Sequence, residues 1–492
     1  MIDAPRPADH DIQQTVVDGV PVFWATEAMR LVGALMFRVG RADEPLVRGG
    51  LTHLVEHLAL YGLGGKQAYG FNGSVDGLHV VFHATGTAEE LVAYFRHVCG
   101  ALRALPLQRA SNEARVLRTE AAGRSPSVVE ALLWYRYGAL GHGAVFYREF
   151  ALVRPDEAAI QAWAAANFTA GNATAWFSGP IPAGLRFDLP DGPRRPAPDP
   201  QPLAGLAAPS WITGQSGGIA VSMVGPRRDW LFVPLRIAAL RVQQRMRYEK
   251  GLTYHVDVGY VILSADQSHS TLVASSLDEH AQVVQDDVLD VLYSMASDGP
   301  TEAELVEAAT DFDRGNNAPE TIFGMLDARA FNTLLGAPIQ TREELSAELW
   351  AMTPDSVARV VHDSQESALL LIPNGVECRN QAYRPYPGNS TSVVVGTTHR
   401  SVNAPYPWSK KQPELIVGSD GVSWVNLPGN ARTVRYADLA VALERTDGAI
   451  ELLGTDGFRV VVLASEWRDG ARALERVRSA IPPDLLVQDA RA

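Results

Sequence analysis

Two histidines on one helical turn, with a glutamate just ahead of the second, stand in the run Gly49-Gly-Leu-Thr-His-Leu-Val-Glu-His-Leu-Ala-Leu-Tyr-Gly62. Glycines bound the run at both ends, and Leu51, Leu54, Val55 and Leu58 recur with the period of a helix. On such a helix His53 and His57 lie one above the other, so their ring nitrogens can converge on a single ion at ~2.0–2.1 Å. Glu56 shares that face, one turn from His53 and beside His57. A water bound to zinc needs a nearby carboxylate to take its proton, and a glutamate adjacent to a ligand but outside the coordination sphere has that reach. The run thus offers two zinc ligands and a general base.

A catalytic zinc usually takes three protein ligands and keeps one position for water. The run Ala110-Ser-Asn-Glu-Ala-Arg-Val-Leu-Arg-Thr-Glu120 supplies the missing donor, because Glu113, Val116, Leu117 and Glu120 have the spacing of one helical stripe. Carboxylates on a buried stripe are costly without a compensating cation, which a metal would provide. A helix rotated to put both glutamates in water is the alternative; His53 and His57 weigh against it.

His53-Leu-Val-Glu-His57 followed by Glu113 and Glu120 resembles the inverted zinc motif of the pitrilysin and insulin-degrading-enzyme peptidases. That resemblance implies zinc, one ion per chain, with Glu120 as third ligand and Glu113 in a supporting role that orients the site. Gly40-Arg-Ala-Asp-Glu-Pro45 resembles the family's approach to the zinc helix, and Phe71-Asn-Gly-Ser-Val-Asp76 its substrate strand, which implies Asn72, Gly73, Ser74 and Val75 as peptide-binding residues. Arg247-Tyr-Glu-Lys-Gly-Leu-Thr-Tyr254 resembles the Arg and Tyr pair presented across the cleft, with Arg247 at a helix end and Tyr254 on the following strand. As donors to the substrate carbonyl and developing oxyanion they join Glu56 as expected catalytic residues. The resemblance covers about residues 15 to 375. The interval from His57 to Glu113 is short for the family and implies trimmed loops.

His79 and His83 are not expected to form a further metal pair, since four strand residues separate them by ~13 Å. Cys99 and Cys378 lack Cys-x-x-Cys spacing and are expected to be buried free thiols. The second half contains no His-x-x-Glu-His.

The elements that must position these residues repeat. Gly33-Ala-Leu-Met-Phe-Arg-Val-Gly40 is echoed by Gly218-Ile-Ala-Val-Ser-Met-Val-Gly225, each strand-like and followed by a helical pattern. His79 to His83 and Thr271 to Ser276 return as strands, each leading to a helix, and a further helix begins near Gln108 and Thr301. The fold class expected is α+β, with two repeated α/β sandwich halves of the pitrilysin type, residues 1–185 and 210–380. Proline-rich stretches, Pro180 to Pro209 and Pro385 to Pro413, read as linkers. Residues 413–492 then form short β-rich runs closed by a helix from about Glu466 to Ala480, a small module that resembles pleckstrin-homology-like domains in pattern only.

With 492 residues the chain is long enough for two or three domains, and its formal charge of −13 disfavours nucleic acid or an anionic membrane as partner. No apolar run reaches the ~18 residues that span a bilayer, so a cytoplasmic protein without membrane insertion is expected. The expected function is a zinc-dependent endopeptidase that hydrolyses extended oligopeptides by a zinc-activated water. The alternative is a weakly active or inactive interaction subunit of a peptide-processing assembly, and a homodimer or heterodimer fits either reading.

Overall fold

Residues 12–26, 30–63, 70–214, 217–316, 320–402, 412–427 and 429–489 are described by the computed structural model. Within the first half the elements are β1 (Ile12–Val17), β2 (Val20–Ala25), β3 (Val32–Phe37), α1 (Leu51–Leu60), β4 (Gly70–Val75), β5 (Val80–Thr85), α2 (Ala88–Arg103), α3 (Ala110–Ala122), α4 (Val128–Tyr137), α5 (Glu157–Asn167) and β6 (Ala173–Phe177). They build a six-stranded sheet in the order β1-β2-β6-β3-β5-β4. The central strand β3 is apolar throughout and buried at every position. Its side chains alternate between two cores: Leu35 and Phe37 join α1 and α2 on one face, while Ala34 and Met36 point to the other.

The second half repeats the plan with β7 (Ser210–Thr213), β8 (Gly218–Pro226), α6 (Phe232–Gln243), β9 (Val256–Ile262), β10 (Gln267–Ser275), α7 (Ala281–Ser297), α8 (Glu302–Asn316), α9 (Thr321–Leu335), α10 (Arg342–Trp350), α11 (Pro354–Gln365), β11 (Leu369–Ile372) and β12 (Arg384–Pro385). Its sheet runs β12-β7-β11-β8-β10-β9. Matching β2 with β7, β3 with β8, β4 with β9, β5 with β10 and β6 with β11 makes the two orders identical. The pairing directions of these five agree as well, with β2–β6 and β7–β11 parallel, but the outermost strands differ, β1 pairing antiparallel with β2 and β12 parallel with β7. The repetition expected from two glycine-bounded octapeptides extends through five of the six strands of each sheet.

The halves exchange helices. Ile322, Leu326, Ala330 and Leu334 of α9 cover the outer face of the first sheet, where Trp176 Nε1 donates to Asp327 at 3.1 Å. In return Leu132 of α4 packs on Ala220, Leu369 and Leu371 of the second sheet, and the buried Arg136 donates to Ser222 Oγ at 3.1 Å. The central strands are thereby covered on both faces, which accounts for the full burial of β3, β6 and β11. His79 lies under α9, its ring 4.7 Å from that of Phe331, and serves packing.

The C-terminal region contains β13 (Gly396–Arg400), β14 (Glu414–Gly418), β15 (Gly421–Leu427), β16 (Asn430–Arg435), β17 (Leu439–Glu444), β18 (Ile450–Gly454), β19 (Arg459–Val462), α12 (Gly470–Ala480) and β20 (Leu486–Gln488). Two four-stranded sheets, β13-β14-β15-β16 and β19-β18-β17-β20, enclose a core closed by Ala473 and Val477 of α12. The helix starts at Gly470 rather than near Glu466, because a short 3₁₀ turn occupies Ala464–Glu466. This region is docked on the first half: Ala440, Val441 and Leu453 share a core with Leu46, Ala139, Ala144 and Phe150, and Ala139 N donates to Thr455 O at 2.9 Å.

Neither proline-rich stretch is simply a linker. Leu185 and Phe187 are buried in the first core, since proline removes ladder donors but does not stop neighbouring apolar side chains from packing. The second stretch supplies β13, whereas residues 403–411 lie outside the described residues. Of the two thiols, Cys99 is buried and Cys378 only half-buried, both free.

Candidate metal centre

Helix α1 opens on Gly50, whose φ of 96° is a left-handed conformation that suits glycine. No side chain at that position caps the helix; the buried carboxylate of Glu44 does so instead, accepting from Gly50 N at 2.8 Å and Thr52 N at 2.6 Å. Burial pushes Glu44 up to about 7 against the lowering effect of these two bonds. Leu51, Leu54, Val55 and Leu58 enter the core as their spacing requires, which turns His53 and His57 toward α3.

The His53 and His57 rings stand edge to face with centroids 5.2 Å apart. One nitrogen of each ring faces a carboxylate that is not a candidate ligand. His53 Nδ1 lies 3.0 Å from Glu149 Oε1, and His57 Nδ1 lies 3.8 Å from Glu113 Oε2. Such partners fix ring orientation and leave the Nε2 atoms for an ion. Ligand atoms of His53, His57 and Glu120 all lie within 4.8 Å of one another. Glu120 is more than half exposed, at 55%, so its carboxylate is free to close on an ion held by the two rings. The donor set of two imidazoles and one carboxylate fits zinc.

Glu113 and Glu120 do not share the expected buried stripe: Glu113 is half-buried and Glu120 exposed. Ala110, Ala114 and Leu117 form the buried face of α3, Val116 is 45% exposed, and Glu120 comes one turn later, where the helix has passed the core and meets the cavity beside His53.

Glu56 is 4% exposed and lies against the edge strand β4, where a Cβ added at Gly73 would come within 1.9 Å of Glu56 Oε1. Only glycine lets the carboxylate sit there. Burial pushes Glu56 up to about 7, the nearby His53 opposing and Glu120 adding to the rise. For His53, burial is the largest effect and lowers the imidazole, but the bond to Glu149 and the charges of Glu149, Glu56 and Glu120 together outweigh it, and the net direction is up; His57, with burial and His53 both lowering it, moves down. Among the residues expected to bind peptide, Asn72, Gly73, Ser74 and Val75 all fall on β4, whose outer edge has no neighbouring strand among the described residues.

Arg247 occurs in a π-helical turn, Gln244–Glu249, at the end of α6, and Tyr254 lies in the loop before β9 rather than on it. They are brought together, the Arg247 guanidinium 5.5 Å from the Tyr254 ring centroid, and Tyr254 is 78% exposed. Neither lines the cavity of about 330 Å³ that holds His53 and Glu120. Glu149 was not legible in the sequence: it follows no fixed spacing from the histidines, and the sole hint is Gly50, where a Cβ would come within 2.6 Å of Glu149 Cβ.

No protein-family model matches the sequence, and no curated protein matches it. Solved structures do match. The inactive M16 peptidase domain from Pseudomonas fluorescens aligns with a TM-score of 0.60 at 18% identity, over 75% of this chain and 100% of that one. The first half of the periplasmic protease PqqL from Escherichia coli aligns with a TM-score of 0.59 at 14% identity, covering 75% and 93%. Pitrilysin gives 0.59 at 15% identity, covering 77% of this chain and 47% of pitrilysin. The likeness is one of fold: the chain is α+β, with halves of the type found in pitrilysin and other M16 peptidase domains. Among the described residues no helix is long and apolar enough to cross a membrane.

Proposed function

We propose that this chain is a zinc-dependent endopeptidase acting on extended oligopeptides, with His53, His57 and Glu120 as metal ligands. The observation that carries the reading is the convergence of these three donors within 4.8 Å beside the buried Glu56 and the sheet's edge strand β4, which has no outer neighbouring strand among the described residues. A bound zinc would supply Lewis acidity toward the scissile carbonyl and toward water. Glu149, in hydrogen-bond contact with His53 Nδ1, holds that imidazole in the tautomer that presents Nε2, and Glu113, 3.8 Å from His57 Nδ1, favours the same orientation of the second ring. Glu56, poised near neutrality by burial, accepts a proton from water and returns it to the leaving amine. Peptide added along β4 at Asn72 to Val75 lies next to Glu56, because Gly73 is the residue in contact with that carboxylate. Arg247 and Tyr254 would donate to the carbonyl oxygen only after the second half, or that of another copy of the chain, closes over β4. Two unpaired thiols fit a reducing, cytoplasmic setting.

A second reading, an interaction subunit without turnover, draws on two observations: the inactive domain among its fold relatives, and the absence of Arg247 and Tyr254 from the metal-site cavity. Elemental analysis combined with cleavage of a quenched random-peptide library by the wild type and Glu56→Gln separates the two. Stoichiometric zinc with turnover lowered ~100-fold to 10,000-fold in the variant is expected of the peptidase. Zinc without any cleavage by the wild type favours the subunit.

A further inference from the structure

Phe146, Tyr147 and Arg148 separate two cavities. One is the metal-site cavity of about 330 Å³; the other, of about 720 Å³, opens on the far side of the same three residues, where both halves and the C-terminal region meet. Arg148 directly precedes Glu149, the partner of His53, so the second cavity begins within a few ångströms of the metal centre's supporting carboxylate.

The larger cavity is walled by rings. Trp134 and Phe146 stack with centroids 4.9 Å apart, Tyr147 stands edge-on to Phe146 at 5.7 Å, and Tyr135 meets Tyr386 at 5.5 Å. Their polar atoms are largely satisfied within the wall: Trp134 Nε1 donates to Tyr147 Oη, and Tyr386 Oη donates to the Tyr135 carbonyl at 2.9 Å. What remains facing the space is mostly carbon, extended by Val441, Leu443 and Phe458 of the C-terminal region. Of the charged residues in the lining, Arg459 is paired with Glu451 at 3.2 Å and Arg148 lies 3.9 Å from Asp489, while Arg432 and Asp456 contribute one charge of each sign. A space of this size and lining takes a large apolar group, and aromatic walls favour an aromatic one through edge and face contacts.

We propose that this junction cavity is a second substrate-binding site, one that seats an aromatic side chain of the same peptide whose backbone lies on β4. The identity of the ligand as peptide rests on the peptidase reading; the cavity itself does not. An extended peptide advances ~3.3 Å per residue, so the anchoring side chain stands a few residues from the scissile bond on the Val75 end of β4, the end that lines the metal-site cavity. The C-terminal region thereby acquires a role: it completes the pocket that selects the substrate.

Gly388 provides the test. It lines the cavity, it is exposed, and a Cβ built there meets nothing within 4 Å, so Gly388→Trp fills the space without forcing the backbone. Equilibrium binding is measured by calorimetry on zinc-loaded Glu56→Gln, which preserves peptides, using alanine-rich twelve-residue peptides with a single Trp stepped along the chain and the all-alanine parent. At one register the Trp peptide is expected to bind about tenfold tighter than the parent. Adding Gly388→Trp should abolish that advantage while leaving the parent's affinity unchanged. Should Gly388→Trp not fold, Phe458→Ala read in the same assay should reduce the advantage. Equal affinity at every register, or an advantage that survives the plug, overturns the proposal. Loss of turnover bears on a different claim: a wild type that cleaves nothing yet shows the plug-sensitive Trp advantage retains the pocket and loses the peptidase reading, whereas cleavage with plug-insensitive binding retains the peptidase and loses the pocket.

Discussion

The two halves share a sheet order strand for strand, yet among the described residues only the first brings together a His-His-Glu group that could hold a metal ion. In the first, the groove between α1 and α3 holds His53 and His57 opposite Glu113 and Glu120. In the second, the corresponding groove between α6 and α8, a space of about 700 Å³, holds a bidentate pair in which Arg241 Nε and Nη2 lie 2.8 Å and 2.7 Å from Glu304 Oε1 and Oε2. In the second groove the cation that faces the carboxylate is part of the chain; in the first, the proposed reading would have it supplied by solution. The core positions are apolar in both helices, so the fold is indifferent to what fills the groove. Chemistry resides in the few side chains that the core leaves unconstrained.

The largest difference expected between the grooves is catalytic. Gly73→Ala places a methyl on the Glu56 carboxylate and should displace it from the metal centre, lowering peptide turnover by ~100-fold or more while zinc content holds. The corresponding strand of the second half, β9, contains no side chain expected to matter in this way. Retained turnover in Gly73→Ala would mean that the contact with β4 does not position the base.

Next in size is a pH effect at the exchanged helices. Burial lowers His142 to about 4, with the bond to the Leu263 carbonyl opposing and Arg38 assisting, and burial with Arg136 and His142 nearby holds His269 well below its ordinary value. Neither ring nitrogen of His269 has a hydrogen-bond partner among the described residues. Both residues fold neutral at the α4 junction. A depressed histidine contributes stability that is complete above its unfolded pKa of 6.5 and is lost as pH falls toward the folded value, on the order of 3 kcal/mol for His142. Glu44 and Glu56, raised by burial, change in the opposite direction over the same range. The comparison is therefore between wild type and His142→Gln, which can still donate to Leu263: thermal melts at pH 7.5 and 5 should show a smaller acid loss in the variant. Parallel curves would remove His142 as the cause.

Much of this was legible in sequence, and what was not has a physical reason. The α1 face was readable because four apolar residues and three chemical ones alternate within a single helix, where spacing dictates direction. The repeat was readable because glycine bounds β3 and β8 alike. Glu149 was unreadable because a loop residue has no period, and its contact with His53 exists only after the 3₁₀ segments around Phe150 fold onto α1. The exchange of α4 and α9 is likewise tertiary: each reads as an ordinary amphipathic helix, and nothing local says which sheet it will cover.

Glu149→Gln sharpens the metal side of the comparison. Losing the charge behind His53 Nδ1 while keeping a hydrogen-bonding amide should weaken zinc binding by ~10-fold to 100-fold, as measured by competition with a chromogenic chelator, with little change in melting temperature of the metal-free protein. Undiminished affinity would reduce Glu149 to a packing residue.

The smallest effect belongs to the second groove. The hydrogen bonds from Arg241, against an opposing effect of burial, hold Glu304 at about 2. Both side chains remain partly exposed, at 19% and 29%, so solvent screening limits the pair to about 1 kcal/mol. Arg241→Ala should cost that amount in urea melts at pH 7. Because a depressed carboxylate stabilises only while ionised, the cost should persist above pH 4.5 and fade as pH drops toward 2. Glu304 keeps its bond from Thr301 N at 2.7 Å, so α8 retains its N-terminal cap and the fold survives. Zinc content and turnover should be untouched, since no residue of this groove lines the metal-site cavity. An Arg241→Ala protein that bound less zinc would show the two grooves to be coupled through the core, and the view that each is filled independently of the shared fold would have to be given up.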